Sequence, residues 1–252
     1  MAGLEKVITT ITSTTDKVHL VTYADDFIVT GATKEVLENK VKPAISQFLK
    51  ERGLELSQEK TTITHIENGF DFLGFNGRKY KTKLLIKPQK ERVKKFLKMI
   101  RATIKTSYSI KTEELITWLN TRIIGWANYY RHVVAKKIFV YVDHKIFWAL
   151  WKWIQRRHPQ KNSSWRIKKY FRNNKLRRWI FFAKFKDING NEQTIELTQA
   201  AYIKIERHIK IKADATPYDP TFKEYFAKRR DYRMGNKKSI GANTATAGLL
   251  GM

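Results

Sequence analysis

Two adjacent carboxylates, Asp25 and Asp26, lie between two short apolar stretches in the sequence LVTYADDFIVT, residues 20–30. β-Branched and aromatic residues dominate both stretches, which predicts a hairpin of strands Val18–Tyr23 and Phe27–Thr30 with the carboxylates in its turn. Because both strands are apolar, we expect them to belong to a covered sheet. Paired carboxylates beside a phosphate substrate are ligands for Mg²⁺, and two such ions can activate a hydroxyl and stabilise a leaving pyrophosphate. A solvated turn without chemistry is the alternative.

The basic residues are concentrated in the second half of the chain, whose formal net charge is +27. Residues 1–86 contain 12 basic and 11 acidic side chains, whereas residues 136–186 contain 16 basic side chains and one acidic one. Like charges at that density repel one another and destabilise a compact state unless a polyanion screens them. The pattern favours nucleic acid as that polyanion, with a membrane surface as the alternative.

The composition excludes several kinds of site. Cysteine is absent, so a disulfide, a zinc–thiolate site and a cysteine nucleophile are all excluded. The six histidines show no metal-ligand spacing. No apolar run approaches the roughly 20 residues that span a bilayer, and the first residues lack the apolar stretch of a signal peptide. We therefore expect a cytoplasmic protein with no membrane partner.

The elements that must position the carboxylates are a helix and further strands. Apolar residues at helical spacing predict a helix from Thr33 to Gly53, with a kink at Pro43. Residues 54–66 and 70–87 are predicted as strands, the second with a turn at Asn76-Gly77.

After Pro88 the apolar period becomes helical. Three helices are predicted, through Val93–Ile104, from Thr112 through Trp126, and over Ala135–Arg157. Three tryptophans of the last helix are expected in the core of the bundle: Trp148, Trp151 and Trp153. The following stretch, residues 163–185, interleaves cations with aromatic rings, a texture typical of nucleic-acid binding.

Five motifs in order carry a resemblance to a known family: YADD (23–26), GLELSQEKT (53–61), GFDFLGF (69–75), IIGWANYYRH (123–132) and the run of residues 203–230. The chain resembles group II intron-encoded reverse transcriptase/maturases over roughly residues 3–235. A lone Tyr-x-Asp-Asp would be a weak signal, whereas an ordered series is specific.

The resemblance implies an α+β fold in four parts. Residues 1–86 would be the later part of a reverse-transcriptase palm, an antiparallel sheet plus a helix. A helical thumb/maturase bundle at 87–160, a basic nucleic-acid-binding region at 161–235 and a flexible tail at 236–252 would follow.

The resemblance also implies roles for individual residues. Asp25 and Asp26 would ligate two Mg²⁺ ions, and Lys60 would protonate the leaving pyrophosphate, with an ordinary exposed lysine as its alternative. The stretch Phe72, Leu73, Gly74 and Phe75 would position the primer end, although core packing is equally open for Phe72 and Leu73. Trp126 and Tyr129 are expected to pack in the bundle.

The same resemblance implies that eight basic residues bind nucleic acid. Those expected on intron RNA are Arg131, Lys136 and Lys137. Those expected on RNA or on target DNA are Lys168, Lys169, Arg172, Arg177 and Arg178.

The sequence also departs from the family. Residues 1–5 resemble the middle of a helix that normally follows a further catalytic aspartate, so the Mg²⁺ site is expected to be incomplete in this chain. A separate upstream polypeptide would then supply the fingers and the first palm segment. Three functions stay open: a piece of an RNA-directed DNA polymerase, a noncatalytic maturase that binds intron RNA for splicing, and an inactive remnant.

Overall fold

A computed structural model describes residues 3–174, 177–208, 211–212 and 215–241, with side chains up to Tyr232. The chain forms two compact units, residues 1–207 and 208–252, and each is described by itself. Small antiparallel sheets and seven described α-helices confirm the predicted α+β class. None of the described helices is long and apolar enough to cross a membrane.

The first part of the larger unit is a small layer of helices on a hairpin. It contains α1 (Leu4–Ile11), β1 (His19–Tyr23), β2 (Asp26–Thr30), a π-helical segment (Val36–Val41) and α2 (Lys42–Lys50). The helices bury one apolar cluster, and one face of the hairpin packs against it. The buried members are Leu4, Ile8, Val41, Ile45, Phe48 and Leu49.

The helix predicted across Pro43 is present, and the expected distortion lies just before the proline. The backbone N–H of Lys42 donates to the carbonyl of Leu37, a five-residue step that widens the helix. Proline lacks an N–H and its ring crowds the preceding turn, so a widened turn relieves the conflict.

The expectation that the hairpin belongs to a covered sheet is wrong. β1 and β2 pair only with each other within the described residues, and Val21 is 56% and Tyr23 64% exposed. Side chains alternate between the faces of a strand, so one buried face leaves the other in solvent.

The next segment is a meander of three antiparallel strands, β3 (Phe70–Phe72), β4 (Phe75–Tyr80) and β5 (Lys83–Pro88). The strand predicted over residues 54–66 is wrong, because no described strand pairs with that segment. It contains a turn instead, in which the N–H groups of Lys60 and Thr61 donate to the carbonyl of Ser57.

The turn predicted at Asn76-Gly77 is also wrong. Both residues lie inside β4, and the turns fall at Leu73-Gly74 and at Lys81-Thr82. Gly77 is needed for close packing, since a Cβ there would lie 3.0 Å from the ring of Phe70.

Three long helices then form the main core, as predicted: α3 (Lys90–Thr106), α4 (Thr112–Tyr130) and α5 (Lys136–Arg157). Trp153 is fully buried and Trp151 packs against the core, but Trp148 is 48% exposed. The expectation of a buried Trp148 is therefore wrong. The buried positions of α5 recur at intervals of three and four residues, and Trp148 falls off that stripe.

The chain continues through α6 (Ser163–Tyr170), β6 (Phe171–Arg172), β7 (Ile180–Lys186) and β8 (Glu192–Glu196). These strands form a second antiparallel sheet of three. Tyr170, Phe171 and Phe181 join the same core as the three long helices.

In the smaller unit, Asp219 caps a helical turn at Pro220–Phe222, which leads into α7 (Lys223–Gly241). The tail predicted at 236–252 overlaps the end of α7, and from residue 242 it lies outside the described residues.

Candidate catalytic hairpin and nucleic-acid interface

The register of the hairpin determines where the two carboxylates lie. Tyr23 pairs with Asp26, so the turn consists of Ala24 and Asp25, and Asp26 begins β2 rather than belonging to the turn. Residues that pair directly share a face of the sheet. Leu20, Phe27 and Val29 pack against the buried cluster, which places Tyr23 and Asp26 on the opposite, open face.

Ala24 occupies a left-handed conformation, with φ of 50°. A two-residue hairpin turn with positive φ at its first position normally uses glycine, and an L-residue there costs roughly 1–2 kcal/mol. The turn therefore tolerates strain at the residue before the exposed carboxylate of Asp25.

The carboxylates of Asp25 and Asp26 fit Mg²⁺, because both side chains are exposed and offer oxygen ligands. Two adjacent carboxylates do not by themselves hold a pair of ions. Within the described ranges, no group of three or more His, Asp or Glu side chains could hold a metal ion. Further ligands would have to come from substrate phosphates or from another polypeptide segment.

A third acidic residue of this layer, Asp16, has a structural use. Its carboxylate accepts from the backbone N–H of Ser13 at 2.9 Å and from Lys40 Nζ at 3.1 Å. The hydrogen bond from Ser13, followed by that from Lys40, lowers the pKa of Asp16. This carboxylate is engaged in tying the loop after α1 to the π-helical segment.

Lys60 is exposed at the end of the turn that begins at Ser57. Among the described residues it makes no ion pair with an acidic side chain. Its role in catalysis stays a prediction.

The candidate primer-positioning turn is held by α4. Leu73 and Gly74 both have positive φ, 49° and 79°, as a tight hairpin turn requires. Tyr129 Oη donates to the carbonyl of Leu73 at 2.7 Å, and Tyr130 Oη donates to that of Gly74 at 3.1 Å. The N–H of Gln89 donates to the same Gly74 carbonyl at 2.9 Å.

Aromatic contacts reinforce this attachment. The ring of Phe75 stacks on Tyr129 with centroids 5.1 Å apart and meets Tyr130 edge-on at 5.3 Å. Burial, and then the neighbouring Tyr129, raise the pKa of Tyr130, which keeps its hydroxyl a donor. Of the four predicted positions, Phe75 packs against the bundle core, whereas Phe72 and Leu73 are half-buried.

Sequence reasoning missed this use of the two tyrosines. Tyr129 was expected to pack within the bundle, but it is 52% exposed and its hydroxyl holds the turn. Trp126 does pack as expected, stacking on Phe96 with centroids 4.7 Å apart. The available signal was the tyrosine pair within the motif IIGWANYYRH, one turn after Trp126.

Four of the eight predicted nucleic-acid-binding cations make contacts inside the protein. Arg131 forms a largely buried ion pair with Glu206, and Lys136 Nζ donates to the carbonyl of Ile203 at 3.2 Å. Arg172 and Arg177 both pair with Glu196 on β8. These cations fasten later segments of the chain, which reduces what they can offer to phosphate.

The other four are exposed: Lys137, Lys168, Lys169 and Arg178. None of them pairs with an acidic side chain in the part of the chain that the structure describes. Lys169 Nζ lies 4.8 Å from the centre of the Trp165 ring, an arrangement of cation and aromatic side by side on α6.

Further cations surround His158 at the end of α5. Burial lowers the pKa of His158, and the charges of four cations lower it further. They are Lys169, Arg157, Arg166 and Lys161. Four cations therefore lie close enough to His158 to lower its pKa, and their charges are concentrated where α5 leads into α6.

The one acidic residue of positions 136–186, Asp143, does not neutralise this surface. Its two carboxylate oxygens accept from the backbone N–H groups of Ala200 and Ala201, both at 2.8 Å. Burial raises the pKa of Asp143 to about 6. The carboxylate holds the segment after β8 against α5 and faces inward.

Comparison with protein families adds two matches along the chain. Residues 2–77 match the reverse transcriptase (RNA-dependent DNA polymerase) family, and residues 93–171 match the group II intron maturase-specific domain. The chain belongs to the group II intron reverse transcriptase/maturase family. Reverse transcriptases generally use Mg²⁺. No curated protein matches the chain.

The two matched segments of this reverse transcriptase/maturase are physically joined. Tyr129 and Tyr130 lie in the maturase-specific segment, while the Leu73 and Gly74 carbonyls that they bind lie in the reverse transcriptase segment. The helix and the turn therefore form one local structure across the boundary between the matches.

Proposed function

We propose that this protein is a maturase that binds group II intron RNA through the cationic surface of residues 136–186. The observation that carries the proposal is that Asp143, the one acidic residue of this segment, faces inward, and that Lys137, Lys168, Lys169 and Arg178 are exposed and form no ion pair within the described residues. Phosphates are the partner that such a surface favours, because neutralised phosphates release counterions.

Membership of the group II intron reverse transcriptase/maturase family favours intron RNA over other polyanions. The maturase-specific match covers residues 93–171, which include Lys137, Lys168 and Lys169. Target DNA is a second substrate for the same surface, with Arg178 at its edge. The chemistry is shared, since both offer a phosphate backbone.

A second function is favoured by the exposed hairpin. Asp25 and Asp26 would supply part of a two-Mg²⁺ site for RNA-directed DNA synthesis, and the turn at Leu73-Gly74 would position the primer end. Asp16 is occupied by Ser13 and Lys40, so it does not complete that site. The remaining ligands would come from substrate phosphates or from another polypeptide segment.

Binding to a structured RNA across a salt series tests the maturase proposal. The variant Lys168→Gln/Lys169→Gln/Arg178→Gln should reduce the slope of log affinity against log salt by about 2.7, at about 0.9 for each phosphate that the variant no longer neutralises. The matched control Lys42→Gln/Lys50→Gln/Lys79→Gln removes three exposed cations outside the proposed surface and should leave the slope unchanged. Equal slopes for both variants would place the interface elsewhere.

Primer extension on an RNA template with Mg²⁺ tests the second function. The chain alone should show no template-directed extension, because its hairpin holds only part of the ligand set. Extension by the purified chain that disappears in Asp25→Ala would show that no further polypeptide is needed.

A further inference from the structure

A groove between α3 and α5 extends the cationic surface of residues 136–186, and none of the eight cations predicted to bind nucleic acid is among its lining residues. The groove has a volume of about 940 Å³. Its lining includes Arg101 and Lys105 from α3 and Lys145, Trp148, Lys152 and Arg156 from α5. None of its lining residues, all of which the structure describes, is acidic.

Trp148 lines this groove with a half-exposed ring whose N–H already has a partner. Its Nε1–H donates to His144 Nε2 at 2.9 Å, so the one polar atom of the indole already has a partner one helical turn away. Phe147 meets the indole edge-on, with centroids 5.6 Å apart. A half-exposed ring that is oriented by its neighbours and has its N–H satisfied is suited to stacking.

Cations and rings alternate along the exposed stripe of α5. Tyr141, Lys145, Trp148 and Lys152 recur at intervals of four, three and four residues, which places them on one side of the helix. At a rise of about 1.5 Å per residue, the two aromatic residues lie about 10 Å apart along the axis. Lys145 Nζ lies 5.3 Å from the centre of the Tyr141 ring.

Arg101 and Lys105 add charge from the facing helix. Arg156 is partly engaged, since its guanidinium donates to the carbonyl of Lys105 at 3.4 Å. The groove therefore combines a stacking platform with cations on both walls and offers no counter-charge of its own.

We propose that the α3–α5 groove binds an unpaired segment of nucleic acid, with one base stacked on Trp148 and the flanking phosphates on Lys145 and Lys152. A base within a duplex is stacked on its neighbours and cannot cover the indole, whereas an unpaired base can. The inference rests on the proposed RNA-binding function and adds to it a site for single-stranded segments, separate from the exposed cations of α6.

The experiment measures binding of the full chain to oligoadenylate of about 12 nucleotides and to a blunt RNA duplex with the same number of phosphates. Trp148→Ala should weaken oligoadenylate binding about 5- to 150-fold, the value of one base–aromatic stack, and leave duplex binding unchanged. Trp148→Phe keeps a ring and should retain most of the affinity. Tyr218→Ala, which removes a 93% exposed ring outside the groove, serves as the control.

The charge contribution is tested separately. Lys145→Gln/Lys152→Gln should reduce the salt slope for oligoadenylate by about 1.4, from about 0.7 per phosphate on a single strand. Oligodeoxyadenylate in a parallel series tells whether the strand in the groove is RNA or DNA, since the preferred sugar binds more tightly.

Three outcomes would overturn the groove proposal while the maturase proposal stands. They are an unchanged affinity for oligoadenylate in Trp148→Ala, an equal loss for duplex and single strand, and equally strong Trp148-dependent binding of polyglutamate of matched charge. The last would identify the groove as a site for an acidic peptide. Failure of the unaltered chain to bind any structured RNA would instead contradict the maturase proposal.

Discussion

Gly74→Ala should destabilise the larger unit because a methyl group in the turn at Leu73-Gly74 would crowd the hydroxyl of Tyr130. The φ of Gly74 is +79°, and a Cβ there would lie 3.2 Å from Tyr130 Oη. The left-handed conformation costs an alanine roughly 1–2 kcal/mol. The displaced hydroxyl would weaken its hydrogen bond to the Gly74 carbonyl, which adds about 0.5–1.5 kcal/mol. We therefore expect a total loss of about 1.5–3.5 kcal/mol.

Urea unfolding measures this loss, and two comparisons separate its parts. Gly190→Ala is the matched control, because Gly190 has a φ of +80° and no described heavy atom within 4 Å of an added Cβ. It should show the conformational cost alone. In a Tyr130→Phe background the hydroxyl is absent, so Gly74→Ala should cost about as much as Gly190→Ala.

Two results would refute the reasoning. A Gly74→Ala variant that loses no more stability than Gly190→Ala would show that the hydroxyl does not crowd the turn. A loss that is the same in the wild-type and Tyr130→Phe backgrounds would show that Gly74 and Tyr130 are not coupled.

Two further predictions concern titrating groups. The folded protein binds the proton of Asp143 more tightly than the unfolded chain does, because its pKa of about 6 exceeds the ordinary 3.8. Its contribution to stability is therefore present below about pH 4 and lost as pH rises through about 6. Relative to the wild type, Asp143→Asn should gain up to about 3 kcal/mol in the free energy of unfolding across that range, measured by urea unfolding at stepped pH. A difference that does not vary with pH would contradict this. Structured RNA should raise the depressed pKa of His158, because phosphates neutralise the cations around it. NMR titration of the ring protons measures the shift. An unchanged pKa would place the RNA elsewhere.

Elements with strong local periodicity could be predicted from the sequence. The three helices of the bundle follow an apolar stripe of period 3.6, and the hairpin at Asp25-Asp26 follows two apolar strands. Both carboxylates were predicted in the turn, but Asp26 begins β2, because a two-residue turn forms with the strained φ of Ala24. The prediction of a strand over residues 54–66 was wrong, because local composition does not show whether a second strand is in place to pair with the segment.

The contacts that assemble the candidate sites join residues far apart in the chain. Tyr129 holds Leu73 across 56 positions, and Arg131 pairs with Glu206. No local pattern distinguishes a cation that will bind phosphate from one that will meet a carboxylate 75 residues later. Trp148 was misplaced for a related reason, since three tryptophans within six residues cannot all face one core.

The most direct test of the central claim maps where RNA touches the protein. Photo-cross-linking of the full chain to a thiouridine-substituted group II intron RNA, followed by mass spectrometry, identifies the contacted peptides. We predict that cross-links concentrate within residues 136–186, where Lys137, Lys168, Lys169 and Arg178 are exposed and form no ion pair among the described residues. Cross-links concentrated within residues 1–52 instead would contradict the account.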